Sequence, residues 1–340
     1  MAQVDSVLKA TGLQLVFGIA VLGSHLAAQD VPDVPFPKST PLGLEHLSVP
    51  PDNPLTEPVF ILGRRLYFDP ILSADRQIAC ASCHAPEHGY ASPERFPGGV
   101  YGRRALRHAP TLFNRGFGTS QRWDGKTATL EEQVLLPIQD PNEMDLSLED
   151  ALDRLSEIES YRTQFATTFD DGLNERNMSR ALATFVRGLT YGNSRPDRFI
   201  AGERTALSKA ELAGMWIYES KGRCWSCHSR PNFSDDSLEN TGIGVVDGTP
   251  EPGRQAVTGL AADAGKFKVP TLRGLTMTAP YMHDGSVASL EEVVEFYRRG
   301  GNPNPGLSDK IRPLEDLTDE DAANLVAFLK ALTRTDQDKD

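Results

Sequence analysis

Cys80-Ala81-Ser82-Cys83-His84 and Cys224-Trp225-Ser226-Cys227-His228 decide how this chain is read. Together they hold all four cysteines of the sequence, and a histidine follows each pair at once. In such a stretch two thiols can form thioethers at the edge of a porphyrin while the next imidazole reaches the iron, because the short spacing gathers all three groups at one site. Placement rejects a disulfide framework, since every cysteine is used in one of these motifs. Zinc is the other alternative, but paired Cys-x-x-Cys ligands usually lie about 15–20 residues apart, whereas Cys80 and Cys224 are 144 apart. Two covalent haem c groups are therefore expected, one on Cys80, Cys83 and His84, the other on Cys224, Cys227 and His228.

Working outward, the sequence matches itself at an offset of 160. Pro110-Thr111-Leu112 aligns with Pro270-Thr271-Leu272, Asp124-Gly125 with Asp284-Gly285, and Leu130-Glu131-Glu132 with Leu290-Glu291-Glu292. Between Pro110 and Pro137 there are ten identities in 28 positions without a gap, and each copy follows one Cys-x-x-Cys-His motif. An internal repeat of this kind signals a duplicated structural unit. The expectation is a mainly α protein with long loops and little strand, built from two cytochrome-c-like haem domains at residues 59–200 and 201–340. The break between them falls between Arg195-Pro196 and Ser208. Capping boxes at Ser147, Ser208 and Thr318 predict helix starts, and apolar periodicity predicts helices over 59–67, 148–158 and 177–189.

Ahead of the first domain, residues 1–28 read as a secretory signal: Lys9, an apolar run from Leu13 to Gly23, and cleavage near Ala28. A periplasmic location follows. Leu26 stands where a small residue is usual, so a membrane role would arise only if this leader were retained. Residues 29–58 carry eight prolines and read as an extended strap. With 340 residues and a formal net charge of -12, the chain lacks the cationic surplus that nucleic acid binding requires.

Given two haems, chemistry depends on the face of each iron opposite its histidine. Tyr297 falls at the register of Pro137, so one haem could be closed by a phenolic oxygen while the other, facing a residue with no ligand atom, stays open to peroxide. Met277, Met282 and His283 compete with Tyr297. Gln133 lies one helical turn before Pro137, and Glu143 follows six residues after it. A carboxylate sheltered in a haem pocket can move the proton needed to break an O–O bond, although a solvated loop charge is the ordinary role for Glu143. Trp123 takes the register of His283 and is a candidate electron relay between haems. Trp216 and Trp225 are weaker relay candidates, expected to be core and haem-packing residues respectively.

Taken in order, CASCH, APTLFN, WDGKTATLEEQVLLPIQDPNEM, CWSCH, VPTLRGLTMTAPYMHDGS and LEEVVEFY resemble the bacterial di-haem cytochrome c peroxidase and MauG family across nearly the whole mature chain. The resemblance implies a peroxide-reactive haem on His84, a second haem on His228, an inter-haem tryptophan at Trp123, and distal Gln133, Pro137 and Glu143. At the position of Tyr297 ordinary peroxidases have methionine, whereas MauG has a tyrosine that ligates the second iron and helps hold oxidising equivalents as a pair of ferryl-level haems. The dissociable loop histidine of ordinary peroxidases maps near Val100, where there is none; His88 and His108 are out of register. The family's inter-haem calcium maps to the carbonyls of Thr278 and Pro280, with His108 where an asparagine ligand is expected. The resemblance thus implies a MauG-like enzyme that uses hydrogen peroxide to oxidise an aromatic residue of a partner protein by long-range electron transfer. The alternatives are a periplasmic peroxidase fed by a small cytochrome or copper protein, and a non-catalytic electron carrier.

Overall fold

The structure, a computed structural model, describes residues 31–335; the expected leader at 1–28 lies outside the described residues. Short helices joined by long loops dominate. They run in order α1 (Glu57–Phe68), α2 (Cys80–Cys83), α3 (Leu130–Gln133), α4 (Leu136–Gln139), α5 (Leu148–Glu157), α6 (Glu159–Thr168), α7 (Glu175–Gly188), α8 (Arg195–Ile200), α9 (Lys209–Glu219), α10 (Gln255–Thr258), α11 (Leu290–Arg298) and α12 (Asp319–Ala331). Among the described residues the only sheet pairs β1 (Leu238–Glu239) with β2 (Phe267–Lys268), antiparallel. No described helix is long and apolar enough to cross a membrane.

Two helix crossings organise the molecule, and both depend on glycine. α1 packs on α7 at Gly63, where a Cβ would lie 1.9 Å from the Ala181 carbonyl oxygen. α9 packs on α12 at Gly214, where a Cβ would lie 1.9 Å from the Asn324 carbonyl oxygen. Any side chain at either site would push the backbones apart, so the absence of one sets the approach. The first crossing buries Phe60, Leu66, Tyr67, Leu182 and Phe185 in one hydrophobic cluster, and the second buries Met215, Tyr218, Phe328 and Leu329 in another. Capping explains where the helices start: Ser147, Ser208 and Thr318 each accept the backbone N–H three residues on.

The 160-residue register is visible in the backbone. Paired bridges join Gln121 to Thr127 and Tyr281 to Val287, and positive φ angles recur at Arg122 and Met282 (65° and 72°), Asn114 and Gly274 (60° and 76°), and Gly125 and Gly285 (65° and 61°). It fails at Pro137. α3 stops at Gln133 and α4 restarts with Pro137 in its first turn, where the missing N–H is harmless. The matching α11 runs unbroken from Leu290 to Arg298 and carries Tyr297.

The proline-rich strap is pinned down: Val31, Val34 and Phe36 pack on the first cluster, and buried Asn53 donates to Glu131. At the expected domain break, α8 presents Asp197 to Arg273 in a buried two-pronged ion pair, at 2.7 and 2.9 Å, and Arg273 also donates to the carbonyls of Gly43 and Pro231. Strap, linker and second repeat copy thus meet at one side chain. The two copies also touch reciprocally: His108 N–H donates to the His283 carbonyl (2.9 Å) and Lys268 N–H to the Trp123 carbonyl (2.6 Å). Residues 108 and 268, and 123 and 283, are repeat partners, so this contact is self-complementary in the manner of a two-fold interface.

Candidate functional site

Each Cys-x-x-Cys-His motif opens into its own cavity. The first measures about 1960 Å³ and the second about 1400 Å³, with the open space at their mouths included. Walls of both are mostly apolar: Ile78, Leu112, Leu182 and Val186 in the first, Ile243, Leu272, Leu325 and Leu329 in the second.

In the lining of each cavity the histidine is oriented alike. His84 Nδ1 lies 3.1 Å from the Tyr90 carbonyl and 3.0 Å from the Pro110 carbonyl; His228 Nδ1 lies 3.0 and 3.1 Å from those of Phe233 and Pro270. Carbonyls only accept, so Nδ1 must carry the proton, and Nε2 is left with its lone pair for a metal. Burial pushes His84 down to about 4 and lowers His228 as well, which keeps both rings neutral. A buried tyrosine fixes the backbone behind each: Tyr67 donates to the His84 carbonyl and Tyr218 to the His228 carbonyl.

The cysteines are free, and burial raises Cys80, Cys83 and Cys224 to about 12 and Cys227 in the same direction. The pairs face different cavities, so they cannot share one zinc. Among the described residues no group of three or more His, Cys, Asp or Glu side chains gathers as a metal site. Two thiols, a metal-ready imidazole and a large apolar cavity fit haem twice over.

In the rest of their lining the cavities differ. Gln133, Pro137 and Glu143 line the first. Gln133 accepts a hydrogen bond from the Thr127 hydroxyl at 3.0 Å. Glu143 is half-buried rather than fully solvated, and burial and Asp140 raise its pKa against the opposing pull of Arg122. Val100 is fully buried outside the cavity wall. His108 does line that wall, with Nδ1 3.1 Å from the Glu94 carbonyl, so a histidine reaches the first cavity from a position out of register with the peroxidase loop.

Tyr297, Met282 and His283 line the second cavity, while Met277 packs against the first hydrophobic cluster. His283 is held: its ring stacks on Phe267 at 3.5 Å between centroids, and Nε2 lies 3.0 Å from Glu251. Burial raises the Tyr297 phenol, whose hydroxyl makes no hydrogen bond to any described residue. Trp123 lines both cavities and donates its indole N–H to the His108 carbonyl at 2.7 Å. Trp216 departs from the core role expected of it, being 61% exposed, and Trp225 is 53% exposed. On α9 the inward face is Glu211, Gly214, Met215 and Tyr218, spaced three and four apart, and Trp216 points off it.

Comparison with known proteins agrees with this geometry. The family model described as di-haem cytochrome c peroxidase matches residues 57–205. MauG, the methylamine utilization protein of Methylorubrum extorquens, is 35% identical over 290 residues, 85% of this chain and 82% of its own. The chain belongs to the di-haem cytochrome c peroxidase and MauG family. As a member it is an oxidoreductase that uses haem. Cytochrome c551 peroxidase of Nitrosomonas europaea is 34% identical over 80% of this chain and 79% of its own. A solved MauG-like protein associated with microbial copper homeostasis superposes with a TM-score of 0.81 at 33% identity, covering 88% of this chain and 96% of that one.

Sequence reasoning missed the polar wall between the family's two cavities. Arg107 bonds both Asp124 and Glu251, at 2.9 and 2.8 Å. Lys268, 7% exposed, lines both cavities beside Asp236. The signal was present in the register, since Lys268 is the repeat partner of His108, but neither matches a haem motif.

Proposed function

We propose that this is a MauG-like di-haem enzyme of the periplasm, with domains at 59–200 and 201–340 each carrying one covalent haem c. It would use hydrogen peroxide to oxidise an aromatic side chain of a partner protein. Cys80, Cys83 and His84 would hold one haem, and Cys224, Cys227, His228 and Tyr297 the other. Bound there, the irons would supply peroxide reduction at the first site and storage of oxidising equivalents across both.

The chain's own residues divide the work. Pro137 offers no ligand atom, which leaves room for peroxide in the first cavity. Glu143, kept protonatable by its sheltered position, moves a proton between the two peroxide oxygens. Gln133, steadied by Thr127, presents its amide N–H₂ toward the same space. Tyr297 would hold the second iron through its phenolic oxygen, which as an anionic ligand would favour oxidised iron over reduced. Trp123, in the wall common to both cavities, connects them for electron transfer. A calcium ion on the Thr278 and Pro280 carbonyls completes the proposal, with water in place of the side chain that His108 does not provide.

The observation that carries this reading is the break in the repeat, proline on one side and Tyr297 on the other. The alternative, a peroxidase fed by a small cytochrome or copper protein, stands beside it because the likeness to cytochrome c551 peroxidase is nearly equal to that to MauG. Peroxide consumption by the fully oxidised holoprotein separates the two. Turnover without prior reduction supports the MauG-like reading, and turnover only after one-electron reduction would overturn it.

A further inference from the structure

Three residues, Trp123, Lys268 and Pro270, line both cavities, and Lys268 is the only charged one. Its ammonium lies 3.4 Å from Asp236, and the Arg115 guanidinium lies 3.2 Å from the same carboxylate. All three side chains are buried, at 7% to 8% exposure. Two cations thus share one anion, and Asp236 further accepts the Thr119 N–H. The nearby carboxylates are committed elsewhere: Asp124 to Arg107, and Glu251 to Arg107 and His283. A buried cluster with a surplus positive charge is costly unless an anion compensates it, and burial indeed pushes Lys268 down to about 7.

Haem carries such an anion. Its thioether-forming carbons and its two propionates lie on opposite halves of the ring, so a haem tethered at the cysteines directs carboxylates away from them. The reciprocal backbone contacts of His108 with His283 and of Lys268 with Trp123 relate the copies as a two-fold interface would. Equivalent edges of the two rings then face the same wall.

We propose that Lys268 is a shared carboxylate anchor, binding a propionate of each haem and coupling the two sites through one buried charge. This rests on the two-haem reading. A cation beside a porphyrin favours the less positive, reduced iron, so its effect should be felt at both sites with one sign.

The test uses holoprotein with the midpoint potential of each haem measured by spectroelectrochemistry. Lys268→Met should lower both potentials, Lys268→Arg should leave both near wild type, and Asp236→Asn, which removes the competing anion, should raise both. Unmoved potentials in Lys268→Met would show that Asp236 satisfies the lysine alone, and a shift at one haem would show that the anchor is not shared; either overturns the proposal. Should Lys268→Met fail to accumulate, Asp236→Asn decides by the presence or absence of the paired rise. Haem content of the wild type is the separate control, because fewer than two haems per chain would sink the underlying reading instead.

Discussion

The two cavities share one foundation and differ in what stands above it. Below, each has a histidine held by two carbonyls, a tyrosine behind that histidine, and a glycine-mediated helix crossing. Elsewhere in the walls, the first cavity has Pro137, Gln133 and Glu143, and the second has Tyr297 on an unbroken helix. On the proposed function, the duplication would keep what holds a porphyrin and change what meets a substrate. Division of labour between like sites therefore rests on few positions, and those positions are where the comparison can be broken.

The largest effect is expected at Glu143. Glu143→Gln keeps the shape and removes the proton carrier, so peroxide consumption should fall by about 10²–10⁴-fold, the usual size of a general acid–base contribution. The pH profile sharpens this. A carboxyl raised by burial stays protonated at higher pH than an ordinary one, so the base form is lost, and the rate falls, as pH drops through a limb above the usual carboxylate range. The same limb should be missing in Glu143→Gln. A wild-type limb at the ordinary glutamate position would contradict the burial argument.

Next is a graft from one cavity to the other. Pro137→Met offers the first iron a thioether, and the high-spin signal of the resting protein should give way to low spin with loss of peroxide reactivity. Tyr297→Met works on the second site and should raise the midpoint potential of its haem, since a thioether favours reduced iron; an unchanged potential would mean that Tyr297 is not a ligand. The smallest effect is expected at His108. His108→Ala should leave the spin state of the first haem as it is, and conversion of a low-spin signal to high spin would reveal His108 as its second ligand.

Much of this was legible in the sequence because short-range chemistry wrote it there. Ser147, Ser208 and Thr318 announced helices that begin where expected, and the Cys-x-x-Cys-His stretches announced both cavities. What was hidden depends on contacts distant in sequence. Residue type alone suggests a core role for Trp216, and type does not say which way a helix faces. Lys268 has no motif, and its importance comes from Arg115 and Asp236, which only the fold brings to it. His108 is out of register with a peroxidase loop, yet the chain path delivers it to the first cavity.

The electron paramagnetic resonance spectrum of the resting, fully oxidised holoprotein tests the central claim most directly. One high-spin iron beside one low-spin iron, the latter altered in Tyr297→Met, is the predicted result. Two low-spin irons in the untreated protein would contradict it, because neither site would then be free to meet peroxide.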